Sequence, residues 1–376
     1  MKLIISSGGT GGHFYPGLSI AREVVSQGGS VVFLVSGQQA SDQRAIAESY
    51  GLQVRTIPSV RMPRNPWQLL LFPFRFLACC RAIRKIYREL DADALLSMGS
   101  FTSVAPCWSW PRGRKPLILH EGNTFMGQAN RVFAKDAAAI ALTLPLCNPS
   151  QLKGRPSRIA GMPLREELLE AAKTGLSEEE RDGILAEFGL SGHRRTLLVF
   201  GGSQGARAII SLLTSTLPLM KALASRLQLI VLTGSDDNSA LEDACRESGI
   251  PARIVKKDLA IQRCYQVADA VLCRAGASSI CELALFRKTA MLMPLPTAKD
   301  NHQFYNAKTL ADAGAARLLV QSETTPDVLA KVIEDWVDGT GAWSALGEKI
   351  GDFAHPDATR EVVRLINDAI AGRTDS

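Results

Sequence analysis

The sequence predicts an α/β protein made of two doubly wound domains, each built on a parallel sheet. Short apolar runs ending in glycine, serine or asparagine alternate with helical patterns, which is the order of β-α-β units. The alternation stops near residue 160 and then starts again. With 376 residues, 46% of them hydrophobic, the chain can fill two cores of ordinary size.

The same order of strands and helices appears in both halves. The first half contains the strand-like runs "KLIISSGG", "SVVFLVSG", "ADALLSMGS" and "KPLILHEGN", with helical patterns such as "GLSIAREVVSQ" between them. The second half contains "RTLLVFGGSQGARAIISLL", "LQLIVLTGS", "ARIVKK", "AVLCRAGASSICELALF" and "TAMLMPLP". The Pro/Ser/Gly-rich stretch "NPSQLKGRPSRIAGMPLR" separates them and predicts the boundary.

We therefore predict an N-terminal domain at residues 1–160, a second domain at 161–345 and a C-terminal amphipathic helix within 346–376. The N-terminal domain is one candidate surface on which that helix packs back. Ligands of doubly wound sheets bind at the carboxyl ends of the strands, so we expect the site in a cleft that the two domains face.

The formal charge of +6 is unevenly distributed along the chain. Residues 1–160 contain 19 Lys and Arg against 8 Asp and Glu, and the remainder contains 24 against 29. A basic N-terminal half indicates an anionic partner for that half, either nucleic acid or an acidic membrane surface.

The segment "NPWQLLLFPFRFLACCRAIRKIYREL" at residues 65–90 favours the membrane. It mixes large apolar and basic side chains, as interfacial helices do, and Pro73 and Arg75 interrupt it too early for a bilayer span of about 20 apolar residues. A core helix with a solvated basic face is the alternative. Membrane contact explains better why large apolar groups occur on all sides of the segment.

The eight cysteines are scattered without CxxC pairs and lie mostly in apolar runs. This usage is typical of reduced core thiols rather than disulfides or zinc ligands. The opening "MKLIISSGG" has a strand-length apolar run and no secretory pattern, so we expect a cytosolic location.

Two glycine-rich turns, "SSGGTGGHF" and "FGGSQGARAI", predict anion sites. Glycine lets the backbone approach a ligand closely, and the following helix directs its N–H groups at the turn. In the second turn, Ser203 and Gln204 add side-chain donors; Gly276 in "CRAGASSICELA" marks a third candidate turn. The G-x-G-x-x-G and P-loop patterns are both missing, which argues against a nicotinamide enzyme and a P-loop protein. Two glycine turns in facing domains, with the third candidate, indicate a diphosphate-linked substrate on one side and a second phosphorylated substrate on the other.

Several polar positions have both a structural and a functional interpretation. His13 follows the first glycine turn, where an imidazole suits a general base or a donor to a reacting oxygen, but single histidines are often structural. Glu282 suits the two hydroxyls of a ribose, or is only a polar helix residue. The stretch "DNHQFYNA" is dense in groups that suit carbohydrate recognition, or it caps a helix: Asp300, His302, Gln303 and Asn306.

Six motifs, in chain order, closely resemble the MurG family: "GGTGGHFYPGLSIA", "HEGN", "GMPLR", "GGSQGA", "CRAGASSICELA" and "DNHQFYNAKTLADAGAA". Members of that family transfer N-acetylglucosamine (GlcNAc) from UDP-GlcNAc to undecaprenyl-pyrophosphoryl-MurNAc-pentapeptide, converting lipid I to lipid II for peptidoglycan. The resemblance covers residues 3–365. It implies the glycosyltransferase type B fold of two Rossmann-like domains, no cofactor, no metal and no nucleic acid. It also implies a peripheral protein on the cytoplasmic face of the inner membrane, with other cell-wall synthesis proteins as candidate partners.

The resemblance also implies site residues. His13 would be the candidate base for the MurNAc 4-hydroxyl, Asn123 would bind GlcNAc and Arg165 the diphosphate. Glu282 would accept the ribose hydroxyls, and Gln303 would bind the donor sugar or its diphosphate. The full set of implied substrate-binding residues is Thr10, Gly11, Gly12, Asn123, Arg165, Ser203, Gln204, Ala277, Ser278, Ser279, Ile280, Cys281, Glu282 and Gln303.

Four positions depart from the family pattern. Gly122 stands where many members have glutamine, and Met162 replaces the asparagine of a Gly-Asn-Pro motif. Ser100 lies in "MGSF", which replaces a Gly-Gly-Tyr turn, and the region of Asp258 lacks the apolar residue usual near the uracil. Two alternative functions remain open: another inverting glycolipid glycosyltransferase of the same fold, and a non-catalytic UDP-sugar-binding scaffold.

Overall fold

The computed structural model describes residues 1–8, 11–37, 39–58, 66–201, 207–235, 237–256, 260–339 and 343–373. These residues form two compact units. The first comprises Met1–Arg165 together with the C-terminal segment from His355, and the second comprises Glu166–Ala354. The division therefore follows Arg165, whereas composition placed it after residue 160. Each unit contains a wholly parallel sheet covered by helices, so the predicted fold class is confirmed.

The first unit has a seven-stranded sheet with strand order β3-β2-β1-β4-β5-β6-β7. Interior strands β1 and β4 are almost continuously apolar because helices cover both faces of the sheet. The strand order reverses between β1 and β4, and ligands of such sheets bind beside this reversal. The strands are β1 (Lys2–Ser6), β2 (Ser30–Val35), β3 (Gln53–Thr56), β4 (Ala94–Ser97), β5 (Leu117–Glu121), β6 (Ala139–Leu142) and β7 (Ser157–Ile159).

Helices pack on both faces of this sheet. Phe14 and Ile20 of the first helix lie in one apolar cluster, and Ile83 and Tyr87 of the third lie in the cluster on the other face. The helices are α1 (Gly11–Ser26), α2 (Ala40–Ser49), α3 (Pro66–Leu90), α4 (Val104–Ser109) and α5 (Gln128–Phe133).

The second unit repeats the arrangement with a six-stranded parallel sheet in the order β10-β9-β8-β11-β12-β13. Its reversal lies between β8 and β11. The strands are β8 (Arg195–Phe200), β9 (Leu227–Leu232), β10 (Ala252–Val255), β11 (Ala270–Cys273), β12 (Thr289–Leu292) and β13 (Arg317–Leu318).

The second unit contains nine α-helices within the described ranges. Trp336 is buried in the apolar cluster on one face of the sheet. The helices are α6 (Glu166–Thr174), α7 (Glu178–Glu187), α8 (Arg207–Thr216), α9 (Ser239–Ser248), α10 (Ile261–Val267), α11 (Ala277–Leu285), α12 (His302–Asp312), α13 (Pro326–Val337) and α14 (Trp343–Ile350).

The chain then returns to the first unit as α15 (Ala358–Ile370). Val362 and Ile366 of α15 share the apolar cluster that contains α1. Arg158 lies 3.5 Å from Asp368 and 3.9 Å from Glu361, which adds charged contacts at the edge of the helix. The segment 346–376 thus contains the end of α14, which belongs to the second unit, as well as α15.

All eight cysteines are free thiols. Seven are buried, as expected for core residues, and burial raises the pKa of Cys107 to about 12 and that of Cys264 to about 11. Cys147 is the exception and is exposed.

Candidate functional site

The first glycine turn lies between the end of β1 and the start of α1. Ser7 is buried there, and no hydrogen-bond partner of its Oγ occurs among the described residues. Gly8 packs closely against the segment that follows β4. A Cβ atom on Gly8 would lie only 2.7 Å from Thr102 Oγ1. Gly11 and Gly12 open α1, so their N–H groups are among those that an α-helix leaves without an intrahelical partner. Thr10 lies outside the described residues.

His13, in the first turn of α1, is held in one tautomer. Its Nδ1 lies 2.7 Å from the carbonyl oxygen of Met98. A carbonyl only accepts, so Nδ1 carries the proton and Nε2 is the basic nitrogen of the ring. In this tautomer Nε2 is the ring nitrogen that can accept a proton.

The segment that presents the Met98 carbonyl is a tight turn. Gly99 and Ser100 both have positive φ, +83° and +70°. The Gly99 N–H donates to Ser97 Oγ at 3.3 Å, and Ser103 Oγ donates to the Gly99 carbonyl at 2.6 Å. Ser100 thus occupies a conformation that favours glycine, which stands there in the family pattern. This strained turn lies beside His13.

Glu121, the last residue of β5, organises the "HEGN" motif. The carboxylate is buried and accepts hydrogen bonds from the N–H and Nδ2 of Asn123, at 3.0 and 3.2 Å. It also accepts from the N–H of Gly127 and from Nδ2 of Asn130, both at 2.9 Å. Asn123, predicted to bind GlcNAc, is therefore fixed by a residue that the motif search did not single out.

Asn130 links this network to the His13 turn. A Cβ built on Gly99 would lie 3.4 Å from Asn130 Nδ2 and 3.6 Å from His13 Cε1. The Oδ1 atom of Asn130 is buried and has no hydrogen-bond partner among the described residues. His13 and the Glu121 network are thus neighbours at one edge of the sheet.

His120 is buried beneath these groups and stays neutral. Burial lowers its pKa to about 4, with a smaller lowering from the nearby His13 and an opposing hydrogen bond to the backbone of Gly161. A neutral imidazole at this position does not add positive charge next to the proposed base.

Arg165 is exposed at the end of the first unit. Its guanidinium carbon lies 5.6 Å from the centroid of the Tyr15 ring, a cation–π contact with α1. The preceding carbonyl, that of Leu164, accepts a hydrogen bond from Ser19 Oγ at 3.0 Å. Met162, one of the departures, is buried. These contacts attach the "GMPLR" motif to the helix that carries His13.

In the second unit, Gly276 is the N-cap residue of α11. Ser278, Ser279 and Glu282 are partly exposed. The side chains of Ala277, Ile280 and Cys281 are buried, and the N–H of Ile280 donates to the Gly276 carbonyl at 3.0 Å. Ser203, Gln204 and Asp258 lie outside the described residues.

Glu282 has a partner that sequence reasoning did not identify. The hydroxyl of Tyr265, a fully buried residue of α10, donates to Glu282 Oε2 at 2.8 Å. No local pattern reveals this pair, because the two residues lie on different helices.

Three polar side chains form hydrogen bonds with backbone groups just before α11 and just after β12. Arg274 is buried and donates to the carbonyls of Met293 and Pro294 at 3.2 and 3.1 Å. Gln303, also buried, accepts from the N–H of Leu295 at 3.0 Å. Asn306 Nδ2 donates to the Ala275 carbonyl at 3.1 Å. Gln303 and Asn306 therefore have structural contacts.

The other two groups of the "DNHQFYNA" stretch lie in a surface turn. Asp300 has a positive φ of +52°. His302 is partly exposed, and its Nδ1 lies 2.7 Å from the carbonyl of Lys299. Within the described part of the chain, no cluster of three or more His, Cys, Asp or Glu side chains is arranged to hold a metal ion.

One face of α3 is apolar in its first half and basic in its second. Trp67, Leu70 and Phe74 follow helical spacing and are 78%, 63% and 70% exposed. Arg81 and Arg88 continue the same face and are exposed. The opposite face, with Cys79, Ile83 and Tyr87, packs on the sheet. None of the described helices is long and apolar enough to cross a bilayer.

A basic cavity of about 950 Å³ lies where α3 ends. Trp108, 47% exposed, lies at its edge and packs against Phe76 of α3 with ring centroids 6.1 Å apart. Five basic residues line it against two acidic ones, Asp91 and Asp136: Arg84, Arg88, Arg112, Lys115 and Lys135.

Comparisons with known proteins find one family domain over most of the first sheet and another over the second sheet. The glycosyltransferase family 28 N-terminal domain matches residues 3–142, and the glycosyltransferase family 28 C-terminal domain matches residues 196–345. Two curated relatives carry the name UDP-N-acetylglucosamine--N-acetylmuramyl-(pentapeptide) pyrophosphoryl-undecaprenol N-acetylglucosamine transferase. The Pelobacter propionicus protein is 32% identical, covering 96% of this chain and 98% of its own. The Geobacter sulfurreducens protein is 31% identical, covering 96% and 97%.

A solved structure agrees with the fold. The crystal structure of Acinetobacter baumannii MurG matches with a TM-score of 0.79 and 23% identity, covering 98% of this chain and 99% of that one. Together with the full-length relatives, this match means that the chain belongs to the MurG family of glycosyltransferase family 28 and has its type B fold.

Proposed function

We propose that this protein transfers GlcNAc from UDP-GlcNAc to the MurNAc 4-hydroxyl of undecaprenyl-pyrophosphoryl-MurNAc-pentapeptide, converting lipid I to lipid II. The observation that carries the proposal is the full-length similarity to relatives named for this reaction. The protein is thus a hexosyltransferase of peptidoglycan synthesis, on which cell shape and cell division depend.

His13 acts as the general base on the acceptor. Its Nε2 takes the proton of the MurNAc 4-hydroxyl while that oxygen attacks the anomeric carbon of GlcNAc. The bond from this carbon to the UDP oxygen breaks on the opposite face, so the α-linked donor gives a β-linked product. The contact between Nδ1 and the Met98 carbonyl supports the role, because it keeps the proton off Nε2 before substrate binds.

The donor nucleotide is held mainly by the second unit. Backbone N–H groups at the start of α11, with Ser278 and Ser279, face the nucleotide, and Glu282 accepts from the ribose hydroxyls. Gln303 donates through its amide nitrogen to the donor sugar or its diphosphate, since its oxygen is engaged with Leu295. Ser203 and Gln204 of the second glycine turn complete this set.

The first unit contributes to the sugar and the leaving group. Asn123, fixed by Glu121, binds the GlcNAc ring. Thr10, Gly11 and Gly12 line the reaction centre, and their N–H groups together with Arg165 stabilise the charge that develops on the departing diphosphate.

A transfer assay tests the proposal. Radiolabelled UDP-GlcNAc is incubated with a lipid I analogue of shortened chain, with diacylglycerol as the competing acceptor and EDTA in a parallel arm. We expect a lipid II-like product, no diacylglycerol product and the same rate with EDTA. Transfer to diacylglycerol alone would identify another glycolipid glycosyltransferase. UDP-GlcNAc binding without transfer to either acceptor would identify a non-catalytic scaffold.

The exposed face of α3 holds the protein on an anionic membrane. Its apolar half suits the acyl boundary, and its basic half with the adjoining cavity suits acidic head groups. The lipid acceptor makes the cytoplasmic face of the inner membrane the expected location, where other cell-wall synthesis proteins are candidate partners.

Vesicle sedimentation tests this surface. Replacing Trp67, Leu70 and Phe74 with serine is expected to abolish binding to vesicles containing acidic phospholipid while transfer to a water-soluble acceptor analogue persists. The matched control replaces Leu219 and Val328 with serine and is expected to bind vesicles like the wild type. These apolar residues of the second unit are 52% and 42% exposed. Unchanged vesicle binding by the triple variant would refute the membrane role of α3.

A further inference from the structure

A hydrogen bond between two helices of the second unit is not used by the reaction scheme above. Tyr265 lies on α10 and Glu282 on α11, and the phenol donates to Glu282 Oε2 at 2.8 Å. Glu282 is partly exposed at this point, whereas Tyr265 is fully buried. One end of the pair thus meets solvent and the other is fixed in the core.

The ring of Tyr265 has little freedom to move. It stacks on Phe286 with centroids 5.2 Å apart and an interplanar angle of 27°, and meets Phe200 edge-on at 6.2 Å. Burial is the main reason that the pKa of Tyr265 is raised well above its usual value, so the hydroxyl remains a donor. The aromatic cluster therefore fixes where a hydrogen-bond donor meets the carboxylate.

Glutamate side chains have three torsions and lose considerable entropy when they are held in one position. A carboxylate that must accept from two adjacent hydroxyls binds better when it is oriented beforehand, because less freedom is lost on binding. A carboxylate has about four acceptor positions, so accepting from the phenol is compatible with accepting from a diol.

We propose that Tyr265 is a positioning residue that orients Glu282 for both ribose hydroxyls and thereby sets the preference of this enzyme for ribonucleotides over 2′-deoxyribonucleotides. The inference rests on the proposed role of Glu282 in binding the donor ribose. It assigns to Tyr265 a part in specificity, reached through Glu282 and not by contact with the nucleotide.

The test measures the dissociation constants of UDP and 2′-deoxy-UDP for the full-length protein by calorimetry. For the wild type we expect 2′-deoxy-UDP to bind about 10- to 100-fold more weakly, the range for one hydrogen bond to a charged acceptor. Tyr265→Phe keeps the ring and removes the donor, and is expected to reduce this ratio to about three-fold. Glu282→Gln is expected to reduce it similarly, and the double variant no further.

A control and a second variant separate positioning from stability. Leu329→Ala leaves a cavity in the apolar cluster of the second unit that does not contain Tyr265 or its aromatic neighbours, and is expected to lower the unfolding midpoint while the ratio stays at the wild-type value. Glu282→Asp keeps the charge but withdraws the carboxylate from the phenol, and is expected to lose the discrimination even if Tyr265→Phe does not fold.

The outcomes are distinguishable. If Glu282→Gln loses the discrimination but Tyr265→Phe retains it, the positioning role is wrong and the donor assignment stands. If Glu282→Asp retains the discrimination, charge alone suffices and the positioning role is also wrong. If Glu282→Gln itself retains the ratio, Glu282 does not bind the ribose. The ribose-binding role of Glu282 and the positioning role of Tyr265 are then both wrong. The lipid II assay is independent of these results and tests the reaction separately.

Discussion

Gly161→Ala is expected to destabilise the first unit severely, for two separable reasons. Gly161 has a φ of +84°, and a Cβ atom there would lie 2.2 Å from His355 Cβ and 3.1 Å from Ala358 Cβ. The left-handed backbone costs an alanine about 1–2 kcal/mol, and forcing a methyl into occupied space costs about 1–3 kcal/mol. The expected total is therefore about 2–5 kcal/mol.

Gly113 provides the matched control. It lies in the same unit with a φ of +82°, but nothing lies within 4 Å of the Cβ that alanine would add. Gly113→Ala should therefore show the backbone cost alone. Adding His355→Gly to Gly161→Ala should recover most of the difference, because it removes the atoms that overlap.

Hydrogen exchange read by mass spectrometry is the suitable assay, since it reports the opening free energy of each unit separately. Protection of the backbone amides of β1 and β4 against exchange should fall much more in Gly161→Ala than in Gly113→Ala. Amide protection in the second unit should not change. Equal losses in the two variants would refute the steric argument and leave only the backbone term.

Three further predictions concern titration and catalysis. Since the pKa of His120 is about 4 when folded and 6.5 when exposed, the unfolded chain binds more protons between these values. The free energy of unfolding should therefore fall by up to about 3 kcal/mol as the pH drops through this window. In His120→Gln, the midpoint of urea unfolding should depend less on pH over the same window. Burial lowers the pKa of Lys288 to about 8 from 10.5, so stability should rise as pH increases between them. Lys288→Met should remove that rise, and an unchanged slope would contradict it. His13→Ala should lower kcat about 100-fold or more with little change in KM for UDP-GlcNAc, whereas near wild-type turnover would end its assignment as the base.

Local patterns were enough to predict the two sheets. Apolar runs ending in glycine or serine, such as "KLIISSGG" and "RTLLVFGG", became the central strands β1 and β8. The alternation of strand and helix patterns could not locate the boundary between the two units after Arg165, because glycine and proline are spread over the whole of 148–165. The division follows Arg165 because segment 160–165 packs on α1, a contact between distant parts of the chain.

The candidate site was predictable residue by residue but not as a set of contacts. His13 and Glu282 could be named from their motifs. The Met98 carbonyl that fixes the His13 tautomer is 85 residues away in sequence, and Tyr265 is 17 residues from Glu282. The role of Glu121 became visible only when the strand end brought four donors to one carboxylate. Partners of this kind depend on tertiary structure, so no spacing rule identifies them.

The return of α15 to the first unit has a consequence for biosynthesis. The cluster around α1 contains Val362, Leu365 and Ile366, which leave the ribosome only after the entire second unit has been made. Until then, the nascent first unit exposes apolar surface on α1, which makes it prone to aggregation during synthesis. A chain that stops before Ala358 would lack α15 and leave that surface permanently uncovered, so this truncation should strongly lower the yield of folded protein although it removes no residue of the first sheet.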